Sequence, residues 1–206
     1  MLYPAPAPAR LAVVATAAAI AVALPPTFPG DGGPTAADLA IADAVDPAVS
    51  DGLARVLAVP SDTVVVLIAQ LVAVAWFAAR RDRWSAATML AVPAVVSALN
   101  TALLKPFWHR DLHDYSAYPS GHTVYLVGVA VTFACLARTT AAVAALAATA
   151  LAAVPVTAGM IALGYHHATD VVGGAAAATA LAVPLCGVAR GVRARTHPPE
   201  PRTPRS

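Results

Sequence analysis

The chain is expected to be an all-α membrane protein, a polytopic bundle of six transmembrane helices. Three observations point there. Hydrophobic residues make up 59% of the 206 positions and charged residues only 12%, a balance foreign to soluble globules. Apolar runs long enough to cross hydrocarbon recur along the chain, and the basic residues between them fall mostly on alternate sides.

A spanning helix needs about 20 apolar residues at ~1.5 Å rise each. Runs at 62–79, 85–104, 139–163 and 171–189 meet that requirement. The run 123–137 is shorter; it opens after Pro119-Ser120-Gly121-His122 and ends at Arg138, and is read as a further span extended by Ser120 to His122. The first run, Leu11 to Leu24, lies between Arg10 and Pro25-Pro26. It suits either a retained helix or a signal-peptide core with a small-x-small site at Ala21-Val22-Ala23, and the retained helix is preferred. Segment 25–61 is rich in Pro, Gly and Asp, but Leu39, Val45, Val49, Leu53 and Val56 are at loosely helical spacing. This predicts a surface-lying amphipathic helix, or a pair, within Ala36–Leu57. The chain thus divides into 1–61, a first helix or signal-like segment with an outer amphipathic loop, a transmembrane core over 62–190, and a disordered cytoplasmic tail over 191–206.

If residues 1–10 are cytoplasmic and six helices alternate, the inner segments hold 10 of the 13 Lys and Arg residues, as the positive-inside rule requires. The exceptions are Arg55, Lys105 and Arg110. Two of them share the outer loop 105–122, and an anionic ligand would account for cations kept on the disfavoured side. A net charge of +2, with no long basic stripe, argues against nucleic acid as a partner. Cys135 and Cys186 sit inside apolar runs and read as small buried hydrophobes.

Five of the six histidines, His109, His113, His122, His166 and His167, fall in the two outer segments 105–122 and 164–170. In Tyr118-Pro119-Ser120-Gly121-His122, Pro and Gly end a loop and Ser120 can cap the following helix. The N–H groups of its first turn, from Gly121 onward, then form a cradle for a phosphate. In Gly164-Tyr165-His166-His167-Ala168-Thr169-Asp170, His166 and Asp170 are four apart and can share one helical face. A carboxylate on one ring nitrogen fixes the tautomer and leaves the other as a nucleophile. Lys105, as a point charge, and Arg110, through its bidentate fork, would pair with phosphate oxygens.

These residues resemble the type-2 phosphatidic acid phosphatase family of membrane lipid phosphatases over about residues 60–190. That family has three signatures: a Lys followed closely by Arg-Pro; Pro-Ser-Gly-His; and Ser-Arg, five residues, His, three residues, Asp. The second is complete at Pro119-Ser120-Gly121-His122. The third is matched from His166 to Asp170 and onward through Val171-Val172-Gly173, with Gly159-Met160 in place of Ser-Arg. In the first, four residues separate Lys105 from Arg110, and Asp111 stands where the family has Pro. The resemblance implies that His166 attacks phosphorus, Asp170 holds its imidazole and His122 protonates the departing oxygen, with no metal or other cofactor. The implied substrate is a lipid phosphate or diphosphate, polyprenyl diphosphate or phosphatidic-acid-like, met among membrane lipids at the non-cytoplasmic face of the cell membrane. His109, His113 or His167 would be auxiliary contacts where Met160 replaces the family's arginine.

Two other readings stand beside this one. The same pocket would serve a lipid-phosphate binding or transport protein without turnover. Alternatively the histidines would ligate a transition metal, with His109 and His113 acting together from one helical face.

Overall fold

Each long apolar run becomes a helix. A computed structural model of the chain describes residues 7–137 and 139–196. In order, its helices are α1 (Ala7–Ala23), α2 (Ala36–Val45), α3 (Asp51–Ala58), α4 (Thr63–Ala79), α5 (Arg83–Leu99), α6 (Lys105–Trp108), α7 (Gly121–Leu136), α8 (Thr139–Ala162) and α9 (Ala168–Thr196). A two-stranded antiparallel hairpin, β1 (Asp111–Leu112) and β2 (Tyr115–Ser116), is set between α6 and α7, with Asp111 opposite Ser116 and Leu112 opposite Tyr115. Five helical stretches are long and apolar enough to cross a membrane: Ala7–Thr27, Asp51–Ala79, Arg83–Trp108, Thr140–Ala162 and Ala168–Thr196. The shorter apolar α7 completes an all-α polytopic membrane bundle.

Helix starts follow local chemistry. Asp62 accepts hydrogen bonds from the N–H groups of Val64 and Val65 at the head of α4, and Asp82 accepts from Ser85 N–H at the head of α5. Thr35 and Asp38 form a reciprocal capping box on α2, and such caps satisfy donors that no helical carbonyl can reach. The predicted amphipathic segment is therefore two helices, α2 and α3. Between α5 and α6 the chain runs as a π-helix over Asn100–Leu104. Within it the buried Asn100 donates Nδ2–H to Pro119 O at 3.4 Å.

α7 is the hub, packing on α4, α5, α8 and α9, while α1 lies along α9 and α3 along α8. Its side chains join two apolar clusters. Val124 and Val131 meet Val92, Val96 and Ala178, and Val129 meets Val66, Phe77 and Met89. Cys135 and Cys186 are free, buried members of the first cluster. On α9, a Cβ at Gly173 would lie 2.1 Å from Cε2 of Tyr118, so only glycine lets that ring rest on the helix backbone. The Tyr118 hydroxyl donates to Ala21 O, tying the loop before α7 to α1.

The tail differs from expectation. Residues 191–196 continue α9 as helix, because Arg193, Ala194 and Arg195 are good helix formers that prolong an existing helix, and Arg193 pairs with Asp82 of the α4–α5 turn at 3.2 Å. The remainder of the expected disordered segment, 197–206, with His197, Arg202 and Arg205, lies outside the described residues, as does Arg138.

Candidate active site

The site is assembled from the head of α7, the loop leading into α9 and the hairpin region. Ser120 is fully buried and caps α7, its Oγ facing Thr123 N at 3.5 Å while its own N–H donates to Asp170 O at 3.0 Å. That backbone link joins the Pro119-Ser120-Gly121-His122 turn to the first turn of α9. Gly121 and His122 follow as the first two residues of α7, where N–H groups lack intrahelical partners.

The His122 and His166 rings meet, with centroids 5.9 Å apart and planes at 74°. His166 is buried, and its Nδ1 is 3.9 Å from Asp170 Oδ2. This separation is beyond hydrogen-bond range, and the buried Nδ1 has no hydrogen-bond partner. Asp170 Oδ2 instead accepts the backbone N–H of His167 at 2.9 Å, the arrangement of an acidic third residue closing a helix start.

Arg110 is placed otherwise than the sequence suggested. It is only 1% exposed, and all five of its N–H donors are used inside the protein. Nε donates to Gly32 O at 3.1 Å; Nη1 donates to Thr169 Oγ1 at 2.6 Å and Asp170 Oδ1 at 2.8 Å; Nη2 donates to Gly33 O at 2.9 Å and Asp38 Oδ2 at 3.1 Å. The guanidinium also stacks over Phe28, 3.8 Å from the ring centroid. A guanidinium has five donors in all, so none remains for a phosphate, and Arg110 is an internal brace rather than a ligand contact.

Asp38 and Thr169 complete that brace, and sequence reasoning missed both. Asp38 is 2% exposed. It accepts from Thr169 N–H at 2.9 Å, from Thr169 Oγ1–H at 2.9 Å and from its capping partner Thr35. Burial alone would raise its pKa, but the hydrogen bonds from Thr169, Thr35 and Arg110 prevail and hold it at about 2. The pattern Thr35-x-x-Asp38 signals a helix start; nothing local signals a partner 131 residues away.

The remaining candidates separate into near and far. Lys105 lies beside Gly121, whose notional Cβ would be 3.9 Å from Lys105 Cε, and its ammonium donates to Ser116 O. His167 is half-buried, and burial lowers its pKa against the opposing pull of Asp170. His109 has a left-handed φ of 47° and is exposed, with Nδ1 3.3 Å from Phe107 O. His113, with φ 56°, is exposed in the hairpin turn. These two share no helical face, because Lys105–Trp108 ends before the first and the hairpin holds the second. Among the described residues no group of three or more His, Cys, Asp or Glu side chains is disposed to hold a metal ion. Tyr115, from the hairpin, places its ring 6.1 Å from that of His166 and donates its hydroxyl to Tyr165 O. Burial, then the charges of Asp170 and Asp114, raise the Tyr115 pKa and keep that proton in place.

His122 opens into a cavity of about 350 Å³ that also borders Arg55, Asp62, Val65, Met160 and Tyr165. Val65 is shared with a second, apolar cavity of about 390 Å³, walled by Val72 and Trp76 of α4, Leu126 and Phe133 of α7, and Thr149 of α8. Leu126 is one helical turn below His122, so the second space leads away from the histidines along the same face of α7.

Met160, which stands where the resembled signature has arginine, is buried against Val156 and Val171. At Gly159 a Cβ would lie 2.6 Å from Ala54 O and 2.8 Å from Ala58 N. The missing side chain is what lets α3 seat on α8. Comparison with protein-family models, with curated proteins and with solved structures returns no match.

Proposed function

We propose that the chain is a membrane phosphatase hydrolysing a lipid phosphate or diphosphate, polyprenyl diphosphate or phosphatidic-acid-like, through a phosphohistidine and without a metal. The observation that carries this is the 5.9 Å approach of the His122 and His166 rings, with Asp170 beside the second. Asp170 faces Nδ1 of His166, so Nε2 is the attacking nitrogen, and the carboxylate offsets the charge that the ring acquires. As the N–P bond forms, the bond from phosphorus to the lipid oxygen breaks, and imidazolium His122 gives that oxygen its proton. In the second step neutral His122 takes a proton from water, whose oxygen displaces His166 and releases inorganic phosphate. Phosphoryl transfer spreads charge over the equatorial oxygens. Lys105 and the first-turn N–H groups of α7, at Gly121 and His122, are suited to meet it, whereas the Ser120 N–H is already given to Asp170 O.

The lipid character is supported by the apolar cavity that borders the His122 cavity at Val65. Membership of the type-2 phosphatidic acid phosphatase family is proposed on Pro119-Ser120-Gly121-His122 together with His166 to Asp170. Placement in the cell membrane with the site on the non-cytoplasmic side rests on the asymmetry of the basic residues.

The test is phosphate release from a panel of lipid phosphates by the purified chain, with and without chelator. Turnover that persists in chelator, is lost in His166→Ala and passes through an acid-labile phosphoprotein is the expected result. Full activity in His166→Ala ends the proposal. The saturation of Arg110 favours one other reading, a lipid-phosphate binding or transport protein without turnover, since it removes an expected transition-state donor. Tight binding with no hydrolysis across the panel would select it.

A further inference from the structure

In the topology read from the sequence, three cations fall on the side opposite the other basic residues: Arg55, Lys105 and Arg110. The structure accounts for two of them, since Arg110 is consumed by the Asp38–Thr169–Asp170 brace and Lys105 donates to Ser116 O. Arg55 is different. It is exposed, makes no hydrogen bond or ion pair among the described residues, and lines the cavity into which His122 opens.

Its position follows from packing. Ala54, fully buried, presses against Gly159 of α8 so closely that no side chain fits between them. The neighbouring Arg55 thereby lines the same cavity as Met160, whose buried thioether brings it no charge. Asp62 is the one carboxylate on the wall, and its Oδ1 is engaged as the cap of α4 by Val64 and Val65 N–H, not by Arg55. A guanidinium with its donors unspent, lining a cavity shared with an imidazole, has the chemistry of an oxyanion contact.

We infer that Arg55 binds the phosphate oxygens of the ligand that His122 and His166 act on, supplying from α3 the cation that neither Arg110 nor Met160 provides. This rests on the proposed hydrolytic site.

The experiment compares the full chain in detergent with Arg55→Gln, Arg55→Lys, His166→Ala and, as a remote control, Arg83→Gln. Each is assayed on dioleoyl phosphatidic acid and farnesyl diphosphate, with inorganic phosphate as product inhibitor. Loss of a charge-assisted contact predicts a rise of about ten- to a hundredfold in KM and in the inhibition constant for inorganic phosphate in Arg55→Gln. Arg55→Lys should be intermediate and Arg83→Gln unchanged. Unaltered KM and phosphate inhibition in Arg55→Gln, with His166→Ala inactive, overturns the assignment of Arg55 while leaving the hydrolytic site standing. Should Arg55→Gln not fold, unaltered constants in Arg55→Lys overturn it instead. If the unmodified chain turns over neither lipid, the hydrolytic proposal has failed, and binding of dioleoyl phosphatidic acid decides on Arg55: weaker binding in Arg55→Gln supports the contact, and equal binding overturns it.

Discussion

Arg110 Nη1 and Asp170 Oδ1 form an ion pair at 2.8 Å, with side chains 1% and 0% exposed. A second carboxylate, Asp38, closes on the same guanidinium at 3.1 Å. The acidic residue beside His166 is therefore held by a cation that never meets solvent, and three distant segments are fastened to it.

Removing that cation leaves two buried carboxylates facing each other, and breaking a buried pair costs about 3–5 kcal/mol. Arg110→Ala is expected to lower the unfolding midpoint in detergent by the largest margin of any single change near the site. Arg110→Lys should recover little of it, since an ammonium has three donors where the guanidinium uses five. Thermal melts of the three proteins check this, and a melt of Arg110→Ala matching that of the unchanged protein contradicts it.

Acid should loosen the same brace. Asp38 binds its proton at about 2 in the folded chain against an ordinary 3.8, so the unfolded chain takes up protons first as pH falls. Its stabilisation, about 2 kcal/mol, is fully present above pH 3.8 and disappears as pH drops through about 2. Asp38→Asn should flatten this acid limb of the stability curve, measured as unfolding midpoint against pH from 5 to 2. An unchanged limb would show that other carboxylates govern it.

The histidines should divide sharply in their effect on turnover. His109 and His113 are exposed and in left-handed backbone, and the His113 ring meets that of Tyr115, which stands between it and His166. Alanine at either should leave the proposed hydrolysis within about twofold. His122→Ala should reduce it by about 10²–10⁴, the usual contribution of a general acid. Initial rates at saturating lipid phosphate separate the two outcomes, and equal losses at 109 and 122 would disprove the division.

Gly159→Ser should cost stability, although serine is the residue of the resembled signature. Its Cβ would fall within 3 Å of α3 backbone atoms, and overpacking of this kind costs roughly 1–3 kcal/mol. α3 must shift, carrying Arg55 with it, so KM should rise alongside the fall in melting temperature. An unaltered melt with unaltered KM would show that α3 does not depend on this contact.

Much of this architecture is legible in the sequence. Apolar length located the spanning helices, and the 3.6-residue repeat placed His166 and Asp170 on one side of a helix start. Motif spacing pointed to His122 and His166 as partners, and the folded chain brings their rings together. Arg110 shows the limit: a count of charges cannot distinguish a cation waiting for a ligand from one already satisfied by carbonyls of Gly32 and Gly33. Asp38 was illegible for a related reason, because its role is set by tertiary contacts with Thr169 and Arg110 far along the chain. Its local signal announced only a helix cap. Arg55 was visible as an exception to charge asymmetry, but its cavity exists only once Gly159 has admitted α3.

The π-helix over Asn100–Leu104 sets how everything beyond it is aimed. Such a turn carries one residue more than ordinary helical winding, and each residue of α-helix corresponds to a rotation of about 100°. Deleting a single residue from this short stretch would swing Lys105 about a quarter-turn around the axis, away from Gly121, while leaving the helix above it undisturbed. The aim of that ammonium is therefore written in the winding of the backbone, rather than in the residues that surround it.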